Sequence, residues 1–111
     1  MDQRWQVIIF PEVTEWVATL SPPDKKIVQR MVAMLEEKGN ALRMPHSQPL
    51  GSGLFELRFD LHRGTVAQRI TYFFDGAVIA LTTFRKTRQA ETDQIARARR
   101  AMAEYWKEMR S

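Results

Sequence analysis

Residues 54–84 read LFELRFDLHRGTVAQRITYFFDGAVIALTTF, and this stretch decides the fold. In Leu54-Phe55-Glu56-Leu57-Arg58-Phe59 the side chains of Phe55, Leu57 and Phe59 point one way and those of Glu56 and Arg58 the other, which is the two-residue period of a strand. A turn is expected around His62-Arg63-Gly64, after which Val66 to Phe74 is again rich in β-branched and aromatic residues. Asp75-Gly76 is a strong two-residue hairpin signal and leads into the strand-like run Ala77–Phe84. Connections this short make the three strands antiparallel neighbours.

Working outward, residues 40–53 hold two Pro and two Gly and read as a loop. Before them, Trp5–Phe10 is a β-branched and aromatic run closed by Pro11, a first strand at the sheet edge. Val13, Trp16, Val17 and Leu20 recur at helical spacing. A second helix is expected from Ser21-Pro22-Pro23-Asp24, with Ser21 as cap, Asp24 as a capping-box carboxylate and Gly39 as the stop. Its buried stripe is Ile27, Val28, Met31, Val32, Met34 and Leu35. At the other end, Ile95, Ala98, Met102, Tyr105 or Trp106, and Met109 mark one face of a C-terminal helix capped by Thr92. The order β-α-α-β-β-β-α specifies an α+β fold, a twisted, mainly antiparallel sheet with the two N-terminal helices on one face.

No repeat or linker divides the chain, so residues 1–111 are expected to form one domain. The absence of Cys excludes a disulfide framework, a thiolate zinc site and a Cys nucleophile. Only His46 and His62 are present, and no Asp/Glu/His cluster has metal-ligand spacing, so neither metal nor cofactor is expected. No apolar run reaches the ~20 residues of a membrane span, and the start MDQRWQVIIF does not read as a signal peptide, which leaves a soluble cytoplasmic domain as the expectation. The net charge of +4 is unevenly placed. Charges cancel through residue 84, and the excess lies in Arg85, Lys86, Arg88, Arg97, Arg99, Arg100, Lys107 and Arg110. Such a surface either attracts a polyanion such as nucleic acid or is simply a solvated helix face.

The sharper signal is on the sheet face that Glu56 and Arg58 share. Arg69 stands among Ala67, Thr71 and Phe73 on the next strand, and the last strand runs into Phe84-Arg85-Lys86-Thr87-Arg88. In-order pairing brings Arg58, Arg69 and the Arg85–Arg88 cluster onto one concave basic patch, suited to a phosphodiester and to the charge that develops on cleaving it. The plainer reading is that Glu56 pairs across strands with Arg58 or Arg69. Tyr72-Phe73-Phe74 reads first as core, and Phe73, which shares the face of Arg69, is the exception that could stack on a base.

The segments Gly53–Phe59, Arg69-Ile70-Thr71-Tyr72-Phe73-Phe74 and Phe84-Arg85-Lys86-Thr87-Arg88, with the Ala-rich Ile95–Tyr105 helix, together resemble the phage-derived, HigB-like branch of the RelE/ParE toxin superfamily of type II toxin–antitoxin systems. The resemblance spans about residues 5–106. It implies the fold order derived above and an endoribonuclease, an mRNA interferase that cuts mRNA on the ribosome and blocks translation. It also implies a cognate antitoxin carrying a helix-turn-helix domain. Carried over, the catalytic cations fall on Arg58, Arg69 and Lys86, with Arg85 and Arg88 as RNA-binding neighbours. The best-known members place a Tyr soon after the last strand, whereas here no aromatic lies between Phe84 and Tyr105. Glu56 is then the candidate base on geometry, with His46 and His62 as alternatives in loops. Two further outcomes stay open: a ParE-like toxin that acts on DNA gyrase and cuts nothing, and a catalytically silent partner-binding module.

Overall fold

The computed structural model describes residues 4–89 and 91–110. In chain order these form β1 (Val7–Ile9), α1 (Pro11–Ala18), α2 (Pro22–Lys38), a 3-10 turn (Gly39–Ala41), β2 (Ser47–Gly51), β3 (Leu54–Leu61), β4 (Val66–Phe74), β5 (Val78–Arg85) and α3 (Glu91–Arg110). The strands make one five-stranded sheet in the order β1-β5-β4-β3-β2. β1 runs parallel to β5, and the other three pairings are antiparallel. The architecture is α+β and broadly compatible with a RelE-like fold, although its order differs from the expected one by a strand.

That strand is β2. The Pro and Gly of residues 40–53 read as a loop, yet Ser47–Gly51 pairs with β3 as the outer strand of the sheet. An edge strand tolerates Pro49, because its missing N–H would have faced away from the ladder. Long-range contacts hold the segment down. The Ser47 hydroxyl bonds the Tyr72 hydroxyl, and the Arg99 guanidinium donates to the Leu50 carbonyl at 2.5 Å and to the Gly51 carbonyl at 3.1 Å.

The sheet separates two apolar clusters. On one face the α1–α2 hairpin packs Val13, Val28, Met31 and Leu35 onto Leu57, Phe59, Leu61, Ile70, Tyr72, Val78 and Ala80. On the other, α3 places Ala98, Ala101, Met102, Tyr105 and Trp106 against Leu54, Phe73, Ala77, Ile79 and Leu81. Gly39 ends α2 at φ +49°, and Trp5 lies so close that any Cβ there would overlap the indole, so this glycine is required twice over.

Three local expectations change. Asp24 makes no capping box; it is buried, and its carboxylate accepts the His62 backbone N–H at 3.1 Å and lies 3.1 Å from His62 Nδ1. Thr92 is inside α3 rather than its cap, because the helix already begins at Glu91. Met109 is exposed; the packed face of α3 runs from Ala98 to Trp106.

β1 covers β5 only as far as Ala80, which leaves the backbone of Thr83 without a strand partner on that edge. Two side chains serve instead. Glu12 of α1 accepts the Thr83 N–H at 2.9 Å, and Arg97 of α3 donates to the Thr83 carbonyl at 3.2 Å. The two also grip each other bidentately, at 2.5 and 2.9 Å, joining helices from opposite faces of the sheet. Burial would raise the Glu12 carboxyl, but the Arg97 and Thr83 hydrogen bonds and the Arg97 charge together hold it below its ordinary value. Two cations of the expected basic surface, Arg97 and Arg99, are thus engaged in contacts within the chain while staying partly exposed.

Candidate active site

Alternation along β3 puts Glu56, Arg58 and Asp60 on the face that α3 also covers. Arg69 of β4 sits directly opposite Arg58, and Phe84 of β5 lies beyond Arg69 in the same row. Lys86 follows two residues after Phe84, and its N–H bonds the Ala67 carbonyl at 2.8 Å, so the strand's alternation carries it to the same side. Arg58, Arg69 and Lys86 therefore share one face.

The arrangement is not a patch of solvated cations. Glu56 is 2% exposed and Arg69 5%. Arg69 Nε lies 3.8 Å from Glu56 Oε1, an ion pair too long to be a hydrogen bond. Arg69 Nη1 donates to the Gln68 carbonyl at 2.9 Å. Arg58 is half-buried and reaches the Met44 sulfur at 3.5 Å. Three atoms of the cluster are buried without a hydrogen-bond partner: Glu56 Oε2, Arg58 Nε and Arg69 Nε. Burial raises the Glu56 carboxyl above the ordinary carboxylate value, against the pull of Arg69, Arg58 and Lys86, with Glu91 adding to the rise. Burial also lowers Arg69, and Arg58 lowers it further, while Glu56, Glu91 and Asp60 oppose the shift. Asp60 and Glu91 are members of this electrostatic cluster that the sequence reading missed. Asp60 was legible as the next same-face residue after Arg58; Glu91 was not, because it enters from α3.

A cavity of ≈ 390 Å³ opens beside the cluster, lined by Met31, Pro45, His46, Arg58, Phe59, Asp60 and Arg69. It follows the outer edge of β3, where β2 has not yet begun and the Arg58 N–H bonds the His46 carbonyl at 2.8 Å. The structure thus brings His46 to the Arg58–Arg69 cleft. His62 is elsewhere, against Asp24. Glu56, expected as the base, is buried beneath Arg69 and presents no surface to a substrate; what it meets is Arg69.

The expected RNA-binding residues divide. Arg88 is exposed in the connection between β5 and α3. Arg85 is exposed on the opposite face of the sheet from Arg69, because it lies one residue from Phe84 and stands opposite Gln68. Phe73 does share the face of Arg69, but it is 2% exposed, with Tyr105 at 5.0 Å and Trp106 at 5.5 Å between ring centres. α3 takes the place in which a base would stack.

Among the described residues no three of His, Asp and Glu are grouped to hold a metal ion, and no helix is long and apolar enough to cross a membrane. Comparison with known families matches residues 15–103 to the family described as phage-derived protein Gp49-like (DUF891). No curated protein matches the chain.

Proposed function

The chain belongs to the phage-derived Gp49-like family, a RelE/HigB-type toxin family of toxin–antitoxin systems associated with RNases, and from this premise we propose that it is a metal-independent endoribonuclease that cuts mRNA on the ribosome. The observation that carries the reading is the convergence of Arg58, Arg69 and Lys86 on one face beside a cleft.

Cleavage needs no more than positioning, charge and proton transfer. An RNA 2′-hydroxyl attacks its own phosphodiester; the P–O5′ bond breaks as the P–O2′ bond forms, leaving a 2′,3′-cyclic phosphate and a 5′-hydroxyl. Arg58 presents a guanidinium fork that matches two phosphate oxygens, where a Lys would offer a point charge. Arg69 and Lys86 meet the negative charge that grows on those oxygens. Glu56 is a positioning residue, holding the Arg69 guanidinium in place from beneath. His46 is the imidazole on the cleft, the side-chain type best suited to moving a proton near neutral pH.

An antitoxin with a helix-turn-helix domain is the proposed neutralising partner, and the cytoplasm the proposed location. The test is induction of the chain alone followed by mapping of mRNA 5′ ends. New 5′-hydroxyl ends within coding regions, persisting when EDTA is added to ribosomes shown to stay intact, are the expected result. Growth arrest without new ends, together with loss of DNA supercoiling, would transfer the chain to the gyrase-directed alternative.

A further inference from the structure

A second cavity of ≈ 390 Å³ lies across the sheet from the Arg58–Arg69 cleft, under the end of α1. Its apolar walls are Trp16, Leu20, Leu61, Val66 and Phe84, and its polar lining includes Gln68 and Arg85. Trp16 is half-buried, with its ring tilted against Phe59 at 6.4 Å between centres. The Gln68 side chain is held in place by its amide nitrogen, which donates to the Thr83 hydroxyl at 2.8 Å. Arg85 stands opposite Gln68 and, among the described residues, is held by no side-chain hydrogen bond or ion pair.

The relation of this cavity to the cleft is set by two pairs of consecutive residues. Gln68 and Arg69 are neighbours on β4, and Arg85 and Lys86 are neighbours at the end of β5. In each pair one residue belongs to the cavity side and the other to the cation side. The end of the sheet where β4 begins and β5 stops is therefore lined by cations on both faces.

We propose that this cavity is a nucleobase subsite for the RNA strand being cut, with the strand passing around that end of the sheet from Lys86 to Arg85. The proposal rests on the endoribonuclease reading. An indole provides a stacking surface that any base can use, and stacking is the commonest device by which proteins hold unpaired bases. A fixed amide beside it can read the hydrogen-bonding edge of the base, and a free guanidinium takes the adjoining phosphate. Cut-site preference would then be set on the face opposite the chemistry.

The test uses the full chain and the four nucleoside 5′-monophosphates, with inorganic phosphate as control, followed by NMR at the Trp16 indole N–H and the Gln68 amide. At least one nucleotide is expected to shift both signals, and phosphate alone neither. Arg85→Glu, an exposed change, should weaken that binding roughly tenfold, the scale of one charge-assisted hydrogen bond, and should redistribute mapped cut sites. Nucleotides that shift only the Arg58–Arg69 cleft, with an unchanged cut-site map in Arg85→Glu, would overturn the subsite and leave the nuclease reading standing. Shifts at Trp16 in a chain that cuts no RNA would keep the subsite and overturn the nuclease.

Discussion

Arg58 and Arg69 stand face to face on adjacent antiparallel strands, two cations in a register where a sheet ordinarily avoids like charges. The acids that permit it are close by: Glu56 paired with Arg69 at 3.8 Å, and Asp60 two residues along β3 on the other side of Arg58. A repulsive pair flanked by one buried and one exposed carboxylate would suit a polyanion, since an arriving phosphate relieves the repulsion.

Arg69→Ala should therefore destabilise the fold as well as abolish toxicity, contrary to the expectation for a solvated cation. It would leave Glu56 buried and unpaired, which costs about 3–5 kcal/mol, or roughly 12 °C or more in thermal midpoint for a chain of this size. The double variant Arg69→Ala/Glu56→Gln should regain most of that stability and none of the toxicity. The sign with pH follows from Glu56. Its native value lies above the unfolded one, so the native state holds the proton more tightly, and the penalty shrinks as pH falls through that window. Thermal scans of both variants at neutral and acidic pH would decide; a penalty that grows on acidification contradicts the assignment.

Lys86→Ala separates chemistry from stability more cleanly, because Lys86 is exposed and its structural bond is made by the backbone. Cleavage should fall about 10²–10³-fold with the midpoint unchanged within ~0.5 kcal/mol. Arg58→Ala should lose activity to a similar degree, and its half-buried side chain adds a modest loss of stability. Cleavage rates and midpoints measured side by side check both, and a fully active Lys86→Ala would remove it from the site.

Arg97→Ala should lower stability by about 1 kcal/mol through the Glu12 and Thr83 contacts, the value kept small because Arg97 and Glu12 are each more than a third exposed. Glu12 sits below its unfolded value, so its contribution is complete above the ordinary carboxylate range and disappears as pH falls through the native value. Urea unfolding of parent and variant from pH 7 downward should show the two curves converging in acid. Arg99→Ala should also cost about 1 kcal/mol by releasing the Leu50 and Gly51 carbonyls, where a merely solvated helix face would register nothing.

The partner antitoxin is expected to lay acidic residues against the Arg58–Arg69–Lys86 face, so its affinity should fall as salt rises. Titration calorimetry from low to high ionic strength gives the slope. Salt-insensitive binding would point to inhibition by exclusion from the ribosome instead.

The sequence by itself determined the three-strand meander, the helical hairpin and the face on which Glu56, Arg58 and Arg69 meet. Those depend on two-residue and 3.6-residue periods and on the Asp75-Gly76 turn, all signals carried by neighbours in the chain. What the tertiary structure decided was depth. Alternation says that Phe73 and Arg69 share a side; only the path of α3 determines that Phe73 is covered by Tyr105 and Trp106 and that Glu91 comes near Glu56 and Arg69. The same limit hid β2, whose Pro49 and Gly51 are poor strand formers and whose pairing is stabilised by Tyr72 and Arg99, distant in sequence. It also hid His46, which joins the cleft because the chain entering β2 bonds to Arg58. A residue's side of the sheet is written locally, but whether that side is open to solvent depends on the elements that return to cover it.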